Sequence, residues 1–340
     1  MKRCNIIEGF EPFNEVLYKD CYYHGLIPVF KYFVGFIESF LLNDIRFYYS
    51  FKESENGIVI GCDSIFHIEE KENLLQYGIA CHEVLETEHI VEDLVECISK
   101  NEPAIIRIDC FYEPLRMDSY NSFHASHAIP VYGYNLDKRE FYILEAKFID
   151  SVSYAKNSIS FDDLERAYKG YIDRFYDGSK NTLESFYIKE ELTPEKYRSI
   201  YLQKYQAVCD SILTGKEKYE DSQSNLVKYK NRILDVLRSN EYESIGKENF
   251  INSLNNLINN LNMQRYLFNK VFQCDSDLIR CVDSITCNWK SIRAIIAKYK
   301  LRKKIEVKSI EAIEVKLQNL IELEQSKYNM LTTFFYNGVS

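Results

Sequence analysis

Apolar residues recur at spacings of three and four from Leu26 through Phe30, Phe33 and Ile37 to Leu41, the repeat of one helix face. Two short strand-like runs follow, at 47–51 and 57–61. Residues 86–100 are acidic but place Val91, Leu94, Val95 and Ile98 on one side, which predicts an amphipathic helix. Three further strands are predicted at Ala104-Ile105-Ile106-Arg107-Ile108-Asp109, at 127–134 and at 141–148. The polar stretch Asn135-Leu136-Asp137-Lys138-Arg139-Glu140 joins the last two, as a hairpin requires. Ser160-Phe161-Asp162-Asp163-Leu164 predicts a linking helix capped by Ser160. From Thr193 the strand signals vanish. Segments 193–213, 217–239, 247–273, 277–303 and 308–336 are helix-periodic with short polar breaks, and Leu254, Leu257, Ile258 and Leu261 illustrate the stripe. The expected fold class is α+β: a domain over 1–190 with an N-terminal helix and an antiparallel sheet, and a C-terminal helical bundle over 191–340.

Composition narrows the function classes. With 340 residues and 46% hydrophobic content, the chain has material for two cores, and 12 Gly and 6 Pro favour long regular elements. The net charge of -9 argues against a general nucleic-acid binder, which needs clustered Lys and Arg. The N-terminal residues lack the apolar run of a secretory signal. The longest apolar stretch, 26–42, is interrupted by Pro28, Lys31 and Glu38, so no membrane span is expected and the expected location is cytoplasmic. The 10 cysteines are scattered without zinc-knuckle spacing and read as reduced thiols, mostly small buried hydrophobes. Spacing alone makes a metal site from His82, His89 and a carboxylate a minor idea, and no metal is expected.

One constellation carries chemistry. Cys21 sits at the start of the first helical pattern, where free N–H groups and the helix dipole favour a thiolate. Pro28 predicts a kink behind it. His127 opens a strand and His124 lies in the loop before it. Glu145 lies on the strand across the hairpin, where a carboxylate would hold the imidazole and favour imidazolium. Each residue alone is ordinary. The order Cys, then a distant His–strand–turn–strand–carboxylate hairpin, is the layout of papain-like enzymes. His127 is favoured as base because a strand aims it rigidly, with His124 its rival in the same loop. His24, His67, His82 and His89 read as packing or surface residues.

Residues Arg107-Ile108-Asp109-Cys110-Phe111-Tyr112-Glu113-Pro114-Leu115, then Tyr120, His124-Ala125-Ser126-His127 and Val131-Tyr132-Gly133-Tyr134-Asn135, resemble the butirosin-biosynthesis acyltransferase family. The resemblance covers about residues 1–150 and is densest over 104–145. It implies a papain-like cysteine peptidase fold that takes an acyl group from a carrier-protein thioester and forms an amide on an amine. Carried over, Cys21 is the acyl-accepting thiol, His127 the base and acid, and Glu145 the orienting carboxylate, where the family more often has Asp. The related peptidases place a Gln ahead of the Cys for the oxyanion hole. Here that position is Glu15, which leaves Asn14 or the Cys21 backbone N–H as donor.

The expected partners are an acyl or peptidyl carrier protein, whose phosphopantetheine brings the thioester, and a small amine or diamine. No cofactor of the enzyme's own is expected. Polythioamide (closthioamide-type) antibiotic assembly is one setting such an enzyme fits. A basic stretch, Lys290, Arg293, Lys298, Lys300, Arg302, Lys303, Lys304 and Lys308 against Glu306, reads either as a solvated helix face or as a dock for an acidic carrier. The alternative function is a papain-like peptidase or amidase hydrolysing an amide or thioester with the same residues. A third is a non-catalytic binding protein that keeps the fold.

Overall fold

The strands expected at 104–109, 127–134 and 141–148 form the middle of a seven-stranded antiparallel sheet. The computed structural model describes residues 2–54, 57–148, 151–239, 248–302 and 305–338. Its sheet strands are β1 (Cys4–Ile6), β4 (Ile79–Val84), β5 (Ala104–Asp109), β6 (Ser126–Asn135), β7 (Glu140–Glu145), β8 (Ala155–Ser160) and β9 (Leu183–Ile188). They run in the order β4-β9-β5-β6-β7-β8, with β1 added beside β6. The register sets Ile108 opposite His127 and Glu145 opposite Ala155. α1 (Cys21–Val34) contacts β5 and β6. A Cβ at Gly25 would lie 3.1 Å from Ile105 Cδ1, so glycine sets how closely helix and sheet approach.

α1 runs helical through Pro28, where a kink was expected. The apolar face does not continue to Leu41 as one helix, because Gly35 takes a left-handed φ of 89° and caps α1 through a bond to the Lys31 carbonyl. α2 (Glu38–Leu41) is a separate short turn. The strand expected to reach 148 stops at Glu145. α3 (Glu70–Gln76), α4 (Ile90–Ser99) and α5 (Phe161–Phe175) also lie in the first unit, with Ser160 capping α5 by accepting from Asp163 N–H.

The compact units divide the chain differently from the expected 1–190 and 191–340. One unit holds residues 1–40 and 68–201, and the other holds 41–67 and 202–340. The difference comes from the hairpin β2 (Asp44–Ser54) and β3 (Gly57–His67), whose inward residues Tyr49, Ile58, Ile60 and Cys62 are buried in the helical unit's core. That core is built with α7 (Lys216–Ser239), α8 (Glu248–Lys270), α9 (Ser276–Arg302) and α10 (Val307–Gly338), and Trp289 is its largest fully buried side chain. α6 (Pro194–Thr214) precedes them, and the unit boundary falls within it. The molecule is thus α+β, with an antiparallel sheet and a C-terminal helical bundle. Among the described residues, no helix is long and apolar enough to cross a membrane.

Candidate active site

Cys21 is the first residue of α1. Asp20 caps the helix, accepting from the backbone N–H groups of Tyr22 at 3.0 Å and Tyr23 at 3.4 Å. The Cys21 thiol is partly exposed. Burial pushes its pKa up, but the positive charge and hydrogen bond of His127 outweigh that, and the Ala128 backbone N–H adds to them. The Asp20 carboxylate works against ionisation. The outcome is a thiol held below its ordinary value, whereas burial drives the Cys62 thiol up to about 12 and the Cys110 thiol up to about 11.

His127 is 3% exposed at the start of β6, and its Nε2 lies 2.8 Å from Glu145 Oε2. A carboxylate only accepts, so Nε2 carries the proton and Nδ1 is left for the thiol. Burial lowers the imidazole's pKa, yet the Glu145 carboxylate and the Cys21 thiolate together raise it well above the ordinary histidine value. Burial opposes ionisation of Glu145, but His127 first and Arg116 next hold its carboxyl below its ordinary value. The resting state these shifts describe is a thiolate–imidazolium pair backed by a carboxylate.

Behind the three lies a layer that spacing did not reveal. Arg116 Nη1 donates to Glu145 Oε1 at 3.0 Å, and the Ala146 backbone N–H donates to the same oxygen at 2.7 Å. Glu113 is fully buried, with a carboxyl oxygen within 4.8 Å of ligand atoms of His127 and Glu145. Its carboxyl shares a hydrogen bond with Glu145, and Arg116 Nε faces Asp118 Oδ1 at 3.9 Å. Thiolate and Glu145 carboxylate already balance imidazolium and guanidinium. An ionised Glu113 would add an uncompensated interior charge. Burial, then the Glu145 charge, raise its pKa accordingly, so Glu113 is held as the neutral acid. The available signal was two opposite charges, Glu113 and Arg116, flanking Pro114-Leu115 directly after a buried strand.

The rival base has another partner. His124 Nδ1 lies 2.6 Å from Asp109 Oδ2, and its ring stacks on Phe111 at 4.3 Å. Asp109 is fully buried and also accepts from the Phe111 and Ala125 N–H groups, so the pair fixes the loop between β5 and β6. Asn14, the expected oxyanion donor, is bound to the Tyr154 backbone. Its Nδ2 donates to the Tyr154 carbonyl at 2.8 Å and its Oδ1 accepts the Tyr154 N–H at 2.9 Å. His24 is a packing residue as expected, stacked on Tyr154 at 4.8 Å, and burial lowers its pKa to about 4.

Among the described residues, two side-chain groups come within metal-ligand reach: Cys81, Glu83 and Glu184, and Glu113, His127 and Glu145. Neither includes His82 or His89. In the first, Glu83 already pairs with Lys71 and Asn181; in the second, Arg116 supplies the positive charge at Glu145. The basic stretch is partly described. Lys290, Lys298 and Lys308 are exposed and Arg293 donates to Asn255 Oδ1, while Lys303 and Lys304 lie outside the described residues. The chain matches no protein-family model and no curated protein.

Proposed function

We propose that the chain is a cysteine-dependent, amide-forming acyltransferase built on a papain-like catalytic unit. The observation that carries this reading is the buried His127–Glu145 pair set against a partly exposed Cys21 whose thiol is held below its ordinary value. A thiolate near neutral pH attacks carbonyl carbon, and a thioester is the acyl donor most readily exchanged onto sulfur. In the first half-reaction the Cys21 sulfur bonds the carbonyl carbon. The tetrahedral oxyanion collapses, and His127 protonates the departing carrier thiol. His127 is then neutral. In the second half-reaction an amine attacks the acyl-cysteine, His127 takes its proton, and the Cys21 thiolate leaves with the resting ion pair restored. Glu145 stays ionised throughout, and Arg116 holds it in place.

The donor is taken to be a carrier protein bearing phosphopantetheine, and the acceptor a small amine or diamine. The exposed Lys290, Lys298 and Lys308 support an acidic carrier, since opposite charge steers association. The test is intact-protein mass spectrometry after mixing with acyl thioesters. An acyl adduct is expected that is lost in Cys21→Ala and kept in Cys110→Ala, and that is discharged as amide when amine is added. Release of free acid alone in the presence of good amines would convert the reading to a hydrolase. No adduct from any donor would leave only a binding role.

A further inference from the structure

With Asn14 engaged elsewhere and Glu15 unable to donate when ionised, the site has one oxyanion donor on α1, the Cys21 backbone N–H, and needs a second. Tyr154 lies near the reacting groups, close enough for its phenol to feel the charges of His127, Glu145 and Cys21. It directly precedes β8, whose Ala155 lies opposite Glu145, so its backbone adjoins the end of the strand carrying the triad carboxylate. Its ring stacks on His24, one turn along α1 from Cys21, with centroids 4.8 Å apart and planes 9° apart. Phe13 stacks on His24 as well, at 6.4 Å. The Asn14 side chain clamps the Tyr154 backbone through both N–H and carbonyl. Three separate contacts thus fix a residue that touches both the Glu145 strand and the Cys21 helix. The hydroxyl has no hydrogen-bond partner among the described residues. We infer that the Tyr154 hydroxyl is the side-chain donor of the oxyanion hole, with Asn14 and His24 as its positioning residues; this deepens the acyl-transfer reading and rests on it.

Burial keeps the phenol protonated: it raises the pKa more than the His127 charge lowers it, while Glu145 and Cys21 push it up and Arg116 pulls it down. A protonated phenol donates without giving up its proton. When the Cys21 sulfur bonds the carbonyl carbon, the C=O π pair moves onto oxygen, and that oxygen accepts the Tyr154 O–H. On collapse the pair returns to the C=O bond, the leaving group departs, and the hydroxyl is unchanged.

The test uses the full chain and Tyr154→Phe, which keeps the stack on His24 and removes only the donor. Three reactions of Cys21 are compared. Iodoacetamide alkylates the thiolate without forming an oxyanion, and its rate is expected to be unchanged. Acylation by a small acyl thioester passes through an oxyanion, and should slow by about 10²–10³-fold. Butyraldehyde forms a tetrahedral adduct with no leaving group, and its protection of Cys21 against iodoacetamide should weaken by about tenfold or more. Asn14→Ala should show a smaller loss in the same two carbonyl reactions. Wild-type rates of acylation and aldehyde binding in Tyr154→Phe would overturn the inference. A parallel fall in alkylation would also overturn it, because it would assign Tyr154 to the thiolate's environment. If wild type accepts the aldehyde but no thioester, the acyl-transfer reading fails and the aldehyde comparison still decides Tyr154.

Discussion

Each compact unit contains a buried cluster of charged and polar side chains, and the two clusters end differently. In the helical unit, Glu324 Oε1 accepts Tyr49 O–H at 2.6 Å and Oε2 pairs with Lys327 Nζ at 2.6 Å. Lys327 also donates to Gln264, Gln264 donates to the Arg46 carbonyl, and Trp289 Nε1 donates to Tyr49. That network closes on itself. In the sheet unit, Arg116, Glu145 and His127 are equally buried, but their chain of partners runs outward to the partly exposed Cys21. A closed network fixes one packing and gives nothing to a ligand. An open one that reaches a reactive atom at the surface has charge to lend to chemistry. Burial and ion pairing are common to both, so neither identifies a site.

The comparison breaks most visibly by removing one member from each cluster. His127→Ala should cut acyl transfer by about 10³-fold, the scale of a lost acid–base group, while circular dichroism still reports a folded sheet unit. Lys327→Met should do the reverse. It leaves Glu324 buried without its cation and should cost about 3–5 kcal/mol in denaturant unfolding, with Cys21 alkylation unaffected. An activity loss in the second variant, or a purely stability loss in the first, would erase the distinction.

The next effect is in pH. The Cys21 pKa is lowered and the His127 pKa raised, so the ion pair exists between those two values. Iodoacetamide labelling followed by peptide mapping should reach half its maximum at Cys21 below the ordinary thiol range, well ahead of Cys62 and Cys110. Replacing Glu145 by Gln should move that midpoint upward. The smallest effect is expected at Glu113, whose acid is raised in the folded state. Unfolded, it loses its proton near the ordinary carboxylate value; folded, it keeps it. Stability therefore falls as pH rises above that ordinary value, up to the folded one. Glu113→Gln should flatten this decline, so its melting temperature should gain on wild type from acidic to neutral pH. A mutant curve parallel to wild type would mean that Glu113 folds ionised.

How much of this was legible in the sequence depends on whether a residue's role is local. Ser160 capping, the 104–109 strand and the 135–140 joint follow from neighbours a few positions away, and all appear where the pattern put them. The meeting of Cys21, His127 and Glu145 was also within reach, because a hairpin fixes which strands adjoin. β8, with the sequence Ala-Lys-Asn-Ser-Ile-Ser, was not, since an edge strand carries little apolar alternation. Arg116 was hidden for a different reason. Its partner Glu145 is 29 residues away, and a single arginine in a loop gives no periodic sign of burial. Asn14 shows the limit in the other direction: the right residue type near the right position is committed to a backbone 140 residues away.

The membership of 41–67 in the helical unit also has a consequence for synthesis. A ribosome finishes the β2–β3 hairpin long before it reaches Leu202, where that unit resumes. At ~5–20 residues per second, Tyr49, Ile58 and Ile60 wait for about seven seconds or more before any of their helical partners has been made. The nascent chain must carry an apolar hairpin through that interval without its core. This makes the interval, and not the mature protein, the stage at which slowed translation or a missing chaperone should most reduce the yield of native protein.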